Sequence, residues 1–168
     1  MKYALLTLTA CILAATKLTS PGLAQAPDVS APVLADFGAS VADMRSALEP
    51  ACTTINVREL DVAEMPIAQN SHTQIDCTGF VHAGQARLAE FVFADDALAF
   101  VWILTDAGEE AGLHAALTAQ FGDASHDNPD VFAYTDHHVA LRRDTPELLY
   151  YSPVIAPVYR SWFDQMSQ

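Results

Sequence analysis

The sequence predicts an α+β protein: a mainly antiparallel sheet with helices packed on one face, in the order α-β-β-β-β-α-β-β-β-α. Three observations lead there. Short β-branched and aromatic runs follow one another at hairpin spacing, separated by turn residues such as His82-Ala83-Gly84 and Asp95-Asp96. Only three stretches carry apolar residues at helical spacing. Two of those stretches each precede a set of strands, so the chain reads as two approximate α/β halves without a residue-level repeat.

The first element is not part of the fold. Residues 1–26 read as a signal peptide: Lys2 supplies a positive start, and Tyr3 to Ala15 form an apolar run too short to span a bilayer. Ala24-Gln25-Ala26 then gives the small-x-small pattern of a cleavage site. A rival reading is anchoring by lipid, because Leu8-Thr9-Ala10-Cys11 resembles a bacterial lipoprotein box and would place acyl chains on Cys11. Residues 27–35 are rich in Pro, Ala and Ser and are expected to form a mobile leader. Residues 36–168 then make up a single domain.

Phe37, Val41, Met44 and Leu48 form one helical stripe, with Asp36 as its expected N-cap and Pro50 as its stop. Strands follow at Cys52–Leu60, Thr73–Val81, Arg87–Ala94 and Leu98–Leu104, with a loop around Pro66 and Asn70. The run LAFVWIL is apolar on both sides, which places it centrally, covered above and below. Asp106 and Glu109 make a capping box for a helix carrying Leu113, Leu117 and Phe121, stopped by Gly122. Residues 124–130 are polar and turn-rich. Short strands are expected at Val131–Tyr134, Val139–Arg143 and Leu148–Ser152. A closing aromatic helix after Pro153 has Pro157 in its first turn.

Charge narrows the function classes. The 168-residue chain carries a formal net charge of −13, and both of its lysines lie in the expected signal peptide. Such an acidic surface repels phosphate backbones and anionic lipid heads, which argues against nucleic-acid binding. It suits either solubility alone or a cationic partner. No second long apolar run follows the leader, so no transmembrane segment is expected after signal cleavage.

Beyond the expected signal peptide only Cys52 and Cys77 remain, and an oxidising compartment makes them one disulfide. Strict alternation along Thr73–Val81 puts Cys77 on the face opposite both His72 and His82, so these three cannot converge on a metal. The remaining metal candidates are His137 and His138, adjacent in a turn after Asp136, with His126 on a nearby loop. No spaced Cys/His frame accompanies them, and solvated turn histidines are the commoner outcome. No cofactor motif is present, and no catalytic residue stands out. Gly38-Ala39-Ser40-Val41-Ala42 half-matches a nucleophile elbow but lies in a helical pattern.

Two groups are candidates for binding. Arg142 and Arg143 form the one basic pair, able to grip an anionic group or to pair locally with Asp144 and Glu147. Tyr159, Trp162 and Phe163 give the last helix the residue types of an interface, although such a helix commonly docks on its own domain. The expectation is a periplasmic or secreted, non-catalytic binding or accessory domain that contacts another envelope protein. The alternative is a small periplasmic hydrolase or a metal- or solute-binding protein built on Asp136, His137 and His138.

Overall fold

The computed structural model describes residues 26–166; residues 1–25, with the expected leader features and Cys11, lie outside the described residues. In chain order the elements are α1 (Val41–Leu48), β1 (Thr54–Leu60), β2 (His72–His82), β3 (Gln85–Ala94), β4 (Ala97–Leu104), α2 (Glu110–Phe121), β5 (His126–Asp127), β6 (Val131–Tyr134), β7 (Val139–Arg142), β8 (Glu147–Tyr151) and α3 (Ala156–Met166). The strands form one eight-stranded antiparallel sheet in the order β1-β2-β3-β4-β8-β7-β6-β5. Each half is thus a helix followed by a four-stranded meander, and the two meanders join through their last strands, β4 and β8. The α+β class and the central place of β4 agree with the sequence reading. The two-residue strand β5 falls in the stretch read as turns.

One face of the sheet buries Ile75, Phe91, Val101, Ile103, Leu141 and Leu148 under Met44 and Leu48 of α1 and Leu113 and Leu117 of α2. The sequence reading put every helix there. The third helix instead covers the opposite face, where Tyr159 and Phe163 pack with Val92, Ala140, Leu149 and Tyr151. The reason is the doubly apolar centre: every residue of β8 is buried, so the second face also needs a cover.

Local chemistry sets the boundaries. The first helix starts at Ser40, whose hydroxyl accepts from the Asp43 amide, and not at Asp36. Gly38 has φ of +96° and exchanges hydrogen bonds with the start of β4: its amide donates to Leu98, and the Leu98 amide donates to Ala39. That backbone cannot be helical. Positive φ at Ala83, Gly84, Asp95 and Asp96 makes both tight hairpins of the first half, matching the twist of their strands. The Asp95 carboxylate accepts from the amides of Gln69, Asn70 and Ser71, tying the β1–β2 loop to the β3–β4 turn.

A bulge corrects the strict alternation expected along β2. Gly79 has φ of +80° and the β2–β3 register shifts between Thr78 and Phe80. Phe80 therefore joins Cys77 on the α1/α2 face, and His82 turns to that face as well, where its Nε2 meets the Tyr150 hydroxyl at 2.8 Å. His72 stays on the opposite face. Cys77 is bonded to Cys52, which fixes the chain leaving α1 to the sheet.

Residues 27–35, read as a mobile leader, carry tertiary contacts. Val29 is fully buried, and its carbonyl accepts from Tyr150 at 2.9 Å. Gln120 donates to the Ser30 hydroxyl at 2.7 Å.

Candidate functional site

The second face of the sheet is only partly covered, and the strongest site candidate lies where the cover ends. There α3 and the β1–β2 loop stand apart across a groove of about 170 Å³. Its floor is Phe100 of β4 and His72 of β2. One wall is Val158, Tyr159 and Trp162, and the other is Glu64, Met65 and Pro66. The loop wall is held by a 3-10 turn over Val62–Glu64, capped by Asp61, whose carbonyl accepts from His72 Nδ1 at 2.9 Å. The opposite wall owes its position to helical spacing. Tyr159 and Phe163 lie one turn apart and anchor α3, while Val158 and Trp162 lie on the flank and reach the groove.

Aromatic rings stiffen this floor. Phe100 meets Tyr159 edge-on at 5.7 Å, and Trp102 meets Tyr159 at 6.3 Å. Beside them the Arg142 guanidinium sits between two tryptophans, 5.4 Å from the Trp102 ring and 5.5 Å from Trp162. Arg142 also donates to Glu147 at 2.7 Å and to Asp144 at 2.9 Å. It is a scaffold for the two rings, with its donors committed to this chain.

Charge around the site is negative and partly desolvated. Burial, reinforced by Glu90 and Asp144, outweighs the pull of Arg142 and pushes the Glu147 carboxyl up to about 7. Burial and Asp76 raise Glu90 as well. Across β1 and β2 the same face carries Arg58, bonded to Asp76 at 2.8 Å, with Asn56 and Gln74 donating to that carboxylate.

Of the five residues read as binding candidates, four meet here. Trp162 lines the groove, Tyr159 is a buried wall, Phe163 is the fully buried anchor of α3, and Arg142 braces the rings. Arg143 is separate. Its side chain turns to the α2 side, over Phe132 at 4.5 Å and bonded to Glu110 and the Asn128 carbonyl. Sequence reading missed Phe100, Trp102, His72, Met65 and Pro66. The signal available was LAFVWIL itself, whose alternate residues Phe100 and Trp102 had to face whatever covered the second side.

The histidine candidates diverge. His137 is exposed and stacks on Phe121 of α2 at 4.7 Å, whereas His138 leans on Tyr151 on the other face at 5.3 Å. Asp136 is exposed and lies 3.7 Å from Arg160. His126 Nε2 reaches Asp164 at 2.9 Å and its Nδ1 lies 3.2 Å from the Ser125 hydroxyl, a serine-histidine-aspartate chain in outline. Ser125 is nonetheless committed: its hydroxyl donates to the Ala133 carbonyl and accepts from the amide and hydroxyl of Thr135. A nucleophile needs that proton directed at its base. Among the described residues no group of three or more His, Cys, Asp or Glu side chains is arranged to hold a metal ion. Ser40, the elbow-like serine, caps α1.

Fold and site together define an α+β protein with two helix-plus-meander halves and an aromatic groove at the edge of its C-terminal helix. No protein-family model, curated protein or solved structure matches the chain. Among the described residues no helix is long and apolar enough to cross a membrane.

Proposed function

We propose that this chain is an exported, non-catalytic binding domain that docks another protein of the cell envelope through the groove beside α3. The observation that carries the reading is the groove itself. A rigid aromatic floor and wall leave Trp162 half-buried, a side-chain type that anchors interfaces, with Val158 at 36% exposure beside it. Glu64 at the rim and the net charge of −13 favour a partner that brings an apolar side chain flanked by positive charge. The Cys52–Cys77 disulfide supports export, since such bonds persist in oxidising compartments.

Deleting α3 would unroof the core, so the test keeps the helix and changes its rim. The wild-type protein, Val158→Glu and Glu64→Lys are used to capture partners from envelope extract after their folds are matched by denaturation. The expected result is one captured protein lost with both variants. A capture list identical for all three removes the groove from the proposal. Intact mass of the exported protein then separates a start at Pro27 from an acylated Cys11.

A further inference from the structure

A larger cavity lies elsewhere, against the far end of β2, and shares no residue with the groove beside α3. It measures about 660 Å³, within the range of ligand-holding clefts. One wall is the segment from Asp28 to Leu34, and the other is Pro50, Ala51 and β2 from Phe80 to His82. The first wall is fixed in place at two points, by the Tyr150 hydroxyl on the Val29 carbonyl and by Gln120 on Ser30.

The floor of this cleft is an unfinished sheet edge. The ladder between β1 and β2 ends at Thr54↔Thr78, yet β2 continues to His82. His82 and Gln85 close a two-residue hairpin, and such a closing pair exchanges both of its hydrogen bonds. Val81, one residue back, therefore turns its amide and carbonyl away from β3 and toward the cleft. Outside the β2–β3 ladder neither bonds to another described residue. Two exposed aliphatic side chains flank this edge, Val81 at 70% and Val33 at 101% of full exposure. The one ionised side chain lining the cleft is Asp28, whose carboxylate also accepts from the Ser30 amide.

We propose that this cleft receives an extended segment of another protein, added as a strand to the free end of β2 at Val81. Main-chain bonds to Val81 supply the register, as in other strand-addition complexes. Alternate aliphatic side chains of the segment lie against Val33 and Val81. Basic side chains in between match Asp28 and the acidic chain as a whole, so the occupant is a β-branched, basic sequence. A strand edge flanked by exposed valines is otherwise an aggregation hazard, which natural sheets avoid by covering it.

The probe is a short, end-capped peptide alternating valine and lysine, labelled and titrated with the purified protein by fluorescence anisotropy. Saturable binding is expected, weakened about fivefold to tenfold when the peptide is N-methylated along one edge, since its amide no longer donates to the Val81 carbonyl. Val81→Glu and Val33→Glu should weaken it comparably, whereas Val154→Glu, exposed but outside both the cleft and the groove, should leave it unchanged. A glutamate-for-lysine peptide should not bind. The proposal is overturned by no saturable binding to the wild-type protein, or by equal affinity for the N-methylated peptide. It is also overturned by a protein that sediments as a dimer dissolved by Val81→Glu, because the cleft would then belong to a second copy.

Discussion

Two buried titrating groups of opposite effect make stability against pH the sharpest test of the structure. Burial and the nearby Arg87 charge lower His82 from 6.5 to about 4. The unfolded chain therefore takes up this proton first as pH falls, and the fold loses stability from about 6.5 downward. At roughly 1.4 kcal/mol per unit, the loss is about 2 kcal/mol at pH 5. Glu147 does the reverse. Raised from 4.5 to about 7, it is protonated in the folded protein before the unfolded one, so acidification from about 7 toward 4.5 stabilises. The gain by pH 5 is also about 2 kcal/mol.

The wild-type protein should consequently be nearly flat in stability between pH 7 and 5, and each single variant should uncover the other group. His82→Gln, which removes the destabilising proton, should become about 2 kcal/mol more stable on going from pH 7 to pH 5. Glu147→Gln should become about 2 kcal/mol less stable over the same interval, with Arg142 still held by Asp144. Urea unfolding followed by the fluorescence of Trp102 and Trp162 measures both slopes. Parallel pH profiles for wild type and the two variants would refute the assignment of these burials.

Three further outcomes follow from single contacts. Joint replacement of Cys52 and Cys77 by Ala opens a loop of sequence separation 25 and should cost about 3.5 kcal/mol in the chain-entropy model, lowering Tm by roughly 10 °C; an unchanged Tm would mean the bond is not formed. Glu109→Ala strips the bidentate partner from Arg87, whose side chain is only 4% exposed, and should cost about 3 kcal/mol in urea; Glu109→Gln, which keeps one acceptor, should cost less. Because Gly79 has positive φ and a Cβ there would collide with the Thr53 side chain, Gly79→Ala should cost at least about 1 kcal/mol, whereas Gly84→Ala meets only the φ penalty.

The sequence makes the elements legible where a local rule is strong. The capping pair survives as the Asp106 amide donating to Glu109, and Gly122 ends α2 with φ of +84°. The disulfide is legible for the same reason, because once residues 1–26 are read as a signal peptide two cysteines remain and they allow one pairing. What escapes is decided by partners distant in sequence. Ser40 displaces Asp36 as the cap because Gly38 and Ala39 bond to Leu98, some sixty positions away. The Gly79 bulge reverses the facing of His82, and period-two counting has no means to foresee it. Asp136, His137 and His138 are neighbours in the chain, but the left-handed backbone at His138, φ of +54°, sends the two imidazoles to opposite faces.

The same geometry explains why a groove exists at all. Eight strands at about 4.8 Å spacing make a sheet nearly 40 Å wide, and a helix about 10 Å across shields two or three of them. Two helices share the first face, and only α3 covers the second. Where that cover is lacking, over β1 and β2, the side chains are polar and mutually bonded: Arg58, Asp76, Asn56 and Gln74. Half-exposed apolar surface lies at the boundary, on Leu88, Phe100, Trp102 and Leu104. A partner seated there would bury area already stripped of much of its water, against rings that Arg142 and Tyr159 keep from reorganising. Little ordering is left for binding to impose, and that condition separates a usable docking site from an incidental apolar patch.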